Sequence, residues 1–133
     1  MEKAIYSVQM VKGMGRSIIA ERDIKRGEVI TNCELLVLSP EDTIKVNETD
    51  LQWYTFTFNK DTKQDCLVMG DGEIFNHSDD ANTLYGLIDW EGRKLMRFQA
   101  ARDIKKGEQL FIDYNADVDS VKNVLEVYTK NLI

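Results

Sequence analysis

The sequence has few of the residues that cross-link a chain or bind metals. It contains one proline, one histidine and two cysteines, Cys33 and Cys66, in 133 residues. Two cysteines are too few for a disulfide framework or a four-cysteine zinc site, so we expect reduced thiols. No apolar run approaches the roughly 20 residues of a membrane span, and the N-terminus lacks the apolar stretch of a signal peptide. These absences predict a soluble intracellular protein, cytoplasmic or nuclear, with no membrane partner and no metal centre.

The length and the charge set two further limits. The chain fits one domain, predicted to span 1–133, and is long enough to bury a core without cross-links. Seventeen Lys and Arg against 23 Asp and Glu give a net charge of −6. That balance disfavours sequence-independent binding to nucleic acid, which needs a basic face. An acidic surface attracts Lys- and Arg-rich segments, so we expect a basic protein partner.

Short β-rich runs, separated by Gly, Asn and Asp, occupy most of the chain and predict a mostly β fold. The runs lie at residues 5–10, 16–20, 29–38, 53–58, 67–69, 95–101 and 110–114. A short helix is a further expectation within 39–52. Near the C-terminus, apolar residues recur every three or four positions, the period of one helix face. We therefore predict a C-terminal α-helix over about 117–132, after a core of about 5–115, from Val118, Val121, Leu125, Tyr128 and Leu132.

One nine-residue pattern occurs twice. Residues 20–28, AERDIKRGE, return as residues 100–108, AARDIKKGE. Gly27 and Gly107 suit a turn because glycine takes positive φ at no steric cost. Nine residues are too few for a solenoid repeat, so we interpret the two copies as similar turns in one sheet.

The single histidine, His77, lies in a polar stretch, NHSDDAN, at residues 76–82. A lone histidine more often makes a structural hydrogen bond than a catalytic one. One His, two distant Cys and scattered carboxylates give no metal-ligand spacing. Ser78 beside His77 does not indicate a triad, since adjacent side chains rarely meet in that geometry. The residues alone therefore predict neither a metal site nor a serine hydrolase.

Two other short motifs leave alternatives open. Gly13-Met14-Gly15 lacks the third glycine of a dinucleotide fingerprint. It is either a simple β-turn or a loop whose bare backbone approaches a ligand. Asp113-Tyr114 closes an apolar strand, which fits a buried tyrosine whose hydroxyl finds a partner. Taken singly, neither motif assigns a function.

The order of these motifs is more informative than any one of them. Gly-x-Gly, Arg-Asp-Ile-x-x-Gly-Glu, Asn-His-Ser-x-x-x-Asn and Gly-Glu-x-Leu-x-x-Asp-Tyr follow one another between residues 5 and 115. This series resembles the SET-domain protein lysine methyltransferases, and the short chain looks like the minimal viral and bacterial members. The resemblance implies a SET-domain fold of small curved β-sheets around a pseudoknot. There the chain through Asp113 and Tyr114 would cover the Asn-His-Ser segment.

The resemblance also implies S-adenosylmethionine-dependent transfer of a methyl group to a lysine of a basic segment such as a histone tail. S-adenosylmethionine, or its product S-adenosylhomocysteine, would bind on one side of a narrow channel that the lysine enters from the other. The family's catalytic tyrosine falls on Tyr114, and Tyr85 and Tyr114 match the positions that line the family's lysine channel. Its cofactor contacts fall on Gly13, Met14, Gly15, Tyr54, Asn76 and His77.

Methyl transfer suits these residue types. When the methyl group leaves the sulfonium, the departing group is a neutral thioether that needs neither an acid nor a metal, so catalysis depends on alignment. The amine must be neutral, although free lysine has a pKa of about 10.4, and a dry aromatic channel disfavours the ammonium form. Tyr114 would orient the amine rather than act as a full base, since a free tyrosine has a pKa of about 10. The Asn76 carboxamide suits either the amino-acid end of the cofactor or the crossing of the chain.

The sequence departs from the family pattern in two places. Ala81 stands where the family usually has proline. No cysteine cluster follows Tyr114, so the zinc-bearing segment that closes the site in many members is missing. Either the C-terminal helix, through Tyr128, or a second subunit in a homodimer would supply that wall. The competing interpretation is a catalytically degenerate SET fold that binds a peptide or a cofactor without turnover.

Overall fold

The computed structural model describes residues 4–115. Within this range one α-helix, α1 (Pro40–Val46), and two 3-10 turns, Asp50–Tyr54 and Gly70–Glu73, stand among nine β-strands. The strands are β1 (Tyr6–Val11), β2 (Gly15–Ala20), β3 (Val29–Val37), β4 (Thr55–Asn59), β5 (Gln64–Val68), β6 (Asn76–His77), β7 (Thr83–Trp90), β8 (Arg93–Ala100) and β9 (Gln109–Ile112). The predicted helix over 117–132 lies outside the described residues.

The strands form two small sheets. One has the order β1-β2-β9-β6 and the other the order β4-β5-β3-β8-β7. Neighbouring strands are antiparallel except β6 and β9, which run parallel with Asn76 opposite Phe111 and His77 opposite Ile112. The chain leaves the second sheet after β5, contributes β6 to the first, and returns as β7. The predicted mostly β fold, with small curled sheets around a crossing, is confirmed.

One apolar cluster contains residues of both sheets. The rings of Phe75 and Phe98 stack at its centre, with centroids 4.4 Å apart and planes 7° apart. Phe75 immediately precedes β6, so burial of this ring places the backbone of Asn76 and His77 against the core. Fully burying a side chain of this kind contributes roughly 1.5–3 kcal/mol. Other buried members of the cluster are Ile18, Ile24, Val68, Met96, Ile104, Leu110 and Ile112.

Helix α1 is the short helix expected within 39–52. Ser39 caps its N-terminus, because the Ser39 Oγ accepts the Asp42 N–H at 3.0 Å. Strand β7, in contrast, was not predicted, because Gly86 and Asp89 interrupt its apolar pattern. Pairing with β8 along its whole length compensates for this weak local signal. Neither α1 nor the two 3-10 turns, the helical segments within 4–115, has the length and apolar character that a membrane crossing requires.

The strand predicted over 53–58 begins later than expected. Thr49 caps a 3-10 turn by accepting the Leu51 N–H at 3.2 Å, and this turn continues through Tyr54. Strand β4 therefore starts at Thr55. The consequence for the site is that Tyr54 projects from a turn rather than from a strand.

The two copies of the repeated pattern were predicted to be turns in one sheet, and this is wrong. The first copy connects β2 to β3 and the second connects β8 to β9, so each passes from one sheet to the other. The copies pair with each other: Ile24 and Ile104 each donate their N–H to the other's carbonyl oxygen at 2.8 Å. Gly27 and Gly107 have φ values of 89° and 91°, as a glycine turn predicts. The pairing arises only once β2 meets β9 and β3 meets β8, which no local pattern reveals.

Candidate active site

The parallel pair β6–β9 forms the centre of the site. The Ser78 N–H continues the pairing by donating to the Ile112 carbonyl oxygen at 3.0 Å. The buried Asn82 side chain also holds β9 in place, through two hydrogen bonds to its backbone. Its Oδ1 accepts the Phe111 N–H at 2.9 Å, and its Nδ2 donates to the Gln109 carbonyl oxygen at 2.9 Å. Sequence reasoning assigned no role to Asn82, although it is the last residue of Asn-His-Ser-x-x-x-Asn.

The Asn76 side chain connects three parts of the chain. Its Nδ2 donates to the Ser17 Oγ and to the Gln109 Oε1, both at 2.9 Å, and approaches the Arg16 carbonyl oxygen at 3.3 Å. The Gln109 Nε2 in turn donates to the Met14 Sδ at 3.4 Å. These contacts fix the crossing, which is one of the two roles that sequence reasoning left open for this carboxamide; the other, a contact to the amino-acid end of the cofactor, stays a prediction. The structure also brings Asn76 next to the predicted glycine turn.

The turn Gly13–Gly15 presents bare backbone. Gly13 and Gly15 have φ values of 84° and 79°, a region that glycine occupies without steric cost. Within residues 4–115, no atom beyond the adjacent residues lies within 4 Å of the point where a Cβ would stand at either glycine. The Met14 side chain between them is about half exposed. This surface combines a β-turn with room for a ligand to approach the backbone, so it accommodates both alternatives left by the sequence.

A cleft of about 290 Å³ opens beside the crossing. Tyr54, Tyr85 and Tyr114, which lie far apart in the sequence, all line it. The rest of its lining is Gln52, Trp53, Thr55, Phe56, Thr57, Glu73 and Phe75. The structure therefore groups Tyr54 with the two tyrosines predicted for the lysine channel. The predicted contact of Tyr54 with the cofactor stays a prediction.

The phenol protons of two cleft tyrosines are directed at backbone carbonyls. The Tyr114 hydroxyl donates to the Phe75 carbonyl oxygen at 2.6 Å, and the Tyr85 hydroxyl donates to the Asp113 carbonyl oxygen at 2.9 Å. Burial raises the pKa of Tyr114, and burial together with the Asp113 charge raises the pKa of Tyr85 to about 12. Both groups are thus neutral phenols at physiological pH. They can orient a ligand by hydrogen bonding but do not present a phenolate base.

Among the described residues that line this cleft, Glu73 is the one carboxylate, and sequence reasoning missed it. Burial raises the pKa of this carboxyl group, while the charge of Arg16 opposes the rise. Nothing in the sequence singles Glu73 out from the other acidic residues. Its position follows from the 3-10 turn Gly70–Glu73, which leads into Phe75 and β6.

The His77 ring lies between the crossing and Tyr114. Its Nδ1 accepts the Tyr114 backbone N–H at 3.0 Å, and its Nε2 is 2.9 Å from the Asp79 Oδ1. The ring centroids of His77 and Tyr114 are 5.0 Å apart. His77, Asp79 and Asp113 offer potential ligand atoms within 4.8 Å of one another. Because both ring nitrogens already have hydrogen-bond partners, we interpret this group as a hydrogen-bond network.

Comparison with known proteins decides the family. A family model of the SET domain matches residues 15–115, more than half of the chain. The chain belongs to the SET-domain family. This SET domain is 27% identical over 131 residues to N-lysine methyltransferase KMT5A of Xenopus tropicalis, a match that covers 91% of this chain. The match covers 38% of that relative, so the chain spans well under half of its length.

Solved structures show the same fold for this SET domain. CpSET8 from Cryptosporidium superposes with a TM-score of 0.69 at 22% identity, over 84% of this chain and 58% of that one. A chain of the Chaetomium thermophilum polycomb repressive complex 2 gives 0.67 at 20% identity, over 88% of this chain and 16% of its own length. A Plasmodium falciparum chain superposes with a TM-score of 0.68 at 20% identity, over 87% of this chain and 97% of that one. These similarities concern the architecture.

Proposed function

We propose that this SET domain is an S-adenosylmethionine-dependent protein-lysine N-methyltransferase that acts on a lysine of a basic protein segment, a histone tail or a similar one. The observation that carries the proposal is the cleft in which Tyr54, Tyr85 and Tyr114 meet beside the strand crossing. A relative named as an N-lysine methyltransferase supports the reaction class. The net charge of −6 supports a basic substrate.

The cleft can prepare a lysine amine for transfer. Aromatic side chains form much of the cleft lining, and such walls disfavour the ammonium form, which would lower the pKa of an entering lysine. The Glu73 carboxylate attracts the cation at the stage of entry. Inside, the Tyr114 hydroxyl proton is directed at the Phe75 carbonyl oxygen, so the phenol oxygen keeps lone pairs that can accept an amine N–H. An amine held in this way points its own lone pair in one direction, which is the alignment that transfer requires.

The glycine turn fits a cofactor approached through the backbone, because in the described part of the chain nothing fills the space beside Gly13 and Gly15. S-adenosylmethionine supplies an electrophilic methyl group on a sulfonium. The residues that would hold it are Gly13, Met14 and Gly15, with Asn76 and His77 of the adjoining β6 and with Tyr54. Since the Asn76 amide bonds to Ser17 and Gln109, we assign its side chain to shaping this surface.

Calorimetric titration with S-adenosylhomocysteine tests the cofactor site without knowledge of the substrate. We expect one ligand per chain, and an affinity at least about tenfold weaker in Asn76→Ala, where the amide bonds of the crossing are lost. Asn59→Ala, which removes an exposed amide at the end of β4, is the matched control and should bind as the wild type does. Thermal melting of each variant separates weakened binding from unfolding. No binding to the folded wild type would contradict the proposal.

Methyl transfer itself is tested with a labelled methyl donor and Lys-rich peptides, including histone tails. Each peptide is paired with a version in which arginine replaces lysine. We expect label only in peptides that carry lysine. Binding of both S-adenosylhomocysteine and peptide without transfer would instead support the degenerate binding module.

A further inference from the structure

The hydrogen bond between His77 and Tyr114 identifies the form of the histidine ring. A backbone N–H can only donate, and the Tyr114 N–H points at the His77 Nδ1 at 3.0 Å. The Nδ1 must therefore carry a bare lone pair. In a neutral imidazole the proton then resides on Nε2, the tautomer in which Nε2 donates and Nδ1 accepts.

The other side of the ring favours the same tautomer. The Asp79 Oδ1 lies 2.9 Å from Nε2, so the Nε2–H has a carboxylate acceptor. Asp79 is 94% exposed, and an exposed pair of this kind contributes little energy. The Tyr114 N–H is thus the main determinant of the tautomer, and Asp79 supports it.

We propose that His77 is a positioning residue for Tyr114, and that it acts only in its neutral form with the proton on Nε2. The inference rests on the proposed function, in which the Tyr114 phenol orients the amine. The His77 ring fixes the Tyr114 backbone, and the Tyr114 hydroxyl reaches back to the Phe75 carbonyl oxygen, two residues before His77. These two bonds tie Tyr114 at both ends to the segment 75–77.

Protonation of the ring breaks the first of these bonds. A proton taken up from solvent on Nδ1 converts that nitrogen into a donor, which then faces the donor N–H of Tyr114. The Asp113 Oδ1 lies 3.8 Å from Nδ1 and is the acceptor available to the new N–H. Among the described residues, the titratable groups around the ring are the carboxylates of Asp79 and Asp113 and the phenol of Tyr114. A ring that carries a proton on Nδ1 therefore cannot accept the Tyr114 N–H, and its new N–H faces the Asp113 carboxylate instead.

Nitrogen NMR on the wild-type protein tests the tautomer directly. The chain has one histidine, so a histidine-labelled sample gives the signals of His77 alone. We expect the neutral ring to show a protonated Nε2 and a hydrogen-bonded, unprotonated Nδ1. The Tyr114 amide signal should shift together with the ring as the pH falls. A neutral ring protonated on Nδ1, or a Tyr114 amide that does not respond to the ring, would overturn the proposal.

Two substitutions test the positioning role in the reaction. In His77→Asn the amide oxygen can take the place of Nδ1 and accept the Tyr114 N–H. In His77→Gln the longer side chain carries its amide to the place of Nε2, where it cannot accept that N–H. Because His77 is also a predicted cofactor contact, the S-adenosylhomocysteine affinity of each variant is measured, and kcat is compared at saturating cofactor. We expect kcat in His77→Asn to exceed that in His77→Gln by roughly tenfold, the value of one hydrogen bond.

The outcomes separate the two proposals. Equal kcat values in the two variants, with an active wild type, would overturn the positioning role and leave the proposed function intact. If the wild type transfers no methyl group, the proposed function fails, while the NMR experiment still decides whether the ring holds the Tyr114 backbone in the stated form.

Discussion

The Arg22 guanidinium donates two hydrogen bonds, of 2.9 and 3.3 Å, to the Glu28 carboxylate. This contact is the main reason that the pKa of Glu28 lies below its usual value, although partial burial opposes the effect. The second copy of the repeated turn has an arginine and a glutamate at the same two positions, Arg102 and Glu108, but there Arg102 donates to Asp80 at 3.2 Å. The two turns therefore offer an internal comparison, in which one Arg–Glu pair forms and the other arginine bonds elsewhere.

We expect Glu28→Gln to lower the free energy of unfolding at pH 7 by about 0.5–1 kcal/mol, because the lost pair is partly exposed. Glu108→Gln is the matched control and should cost less. A carboxyl group whose pKa is lowered by folding stabilises above its unfolded pKa, and this contribution disappears as the pH falls through the folded pKa. Urea unfolding at pH 7 and at a series of lower pH values checks this, since the difference between wild type and Glu28→Gln should shrink as the pH falls. A difference that persists unchanged in acid would contradict the assignment.

Gly72 occupies a buried place that admits no side chain. A Cβ built there would lie 2.4 Å from the Val68 Cγ1, 2.8 Å from the Phe98 Cε2 and 3.1 Å from the Cys33 Sγ. We expect Gly72→Ala to lower the free energy of unfolding by about 1–3 kcal/mol, the usual cost of overpacking a core. Thermal or urea unfolding measures it.

The control for Gly72→Ala is the same change in a Val68→Ala background. Removing the Val68 methyl groups eliminates the shortest of the three contacts. Gly72→Ala should then lower the free energy of unfolding by less in the Val68→Ala background than in the wild type, which gives a favourable coupling energy in a double-mutant cycle. Strict additivity of the two changes would show that the clash with Val68 is not the cause.

Asn82 stabilises the fold through hydrogen bonds, because its buried side chain bonds to the backbone of β9. In Asn82→Leu the Phe111 N–H and the Gln109 carbonyl oxygen lose their partners. We expect a loss of about 2–4 kcal/mol in the free energy of unfolding, since buried groups are left unpaired. Thr83→Val is the control: it removes only the 3.1 Å bond from the Thr83 hydroxyl to the Asn82 Oδ1. A comparable loss in both variants would contradict the special role of the β9 bonds.

Residue order along the chain predicted more of the site than composition or periodicity did. Tyr85 and Tyr114 line the same cleft, as their matches to the lysine channel require, and Asn76 adjoins the glycine turn. These residues could be anticipated because each belongs to a motif with fixed spacing. The roles proposed for them in binding and catalysis remain to be tested by the experiments above.

The contacts that could not be anticipated depend on three-dimensional pairing. Glu73 reaches the cleft because a 3-10 turn ends beside Phe75, and the pairing of Ile24 with Ile104 requires both sheets to be in place. The Asn76 carboxamide suits two kinds of partner, and its bonds to Ser17 and Gln109 depend on where those two residues lie in the fold. Sequence periodicity carries no information on such distant contacts.

Tyr114→Phe gives the most direct test of the proposed reaction. The change removes the phenol oxygen that would accept the amine N–H and breaks the 2.6 Å bond to the Phe75 carbonyl oxygen, while the ring remains in the cleft. We expect kcat to fall by about 10²-fold or more, the usual cost of losing a positioned hydrogen-bonding group at the reacting centre. Affinity for S-adenosylhomocysteine should stay within a factor of about two, because the predicted cofactor contacts do not include this hydroxyl. Tyr6→Phe is the control, since its hydroxyl donates to Asp71 at 2.8 Å and does not line the cleft. Wild-type turnover in Tyr114→Phe, or an equal loss in Tyr6→Phe, would remove the Tyr114 phenol from the mechanism.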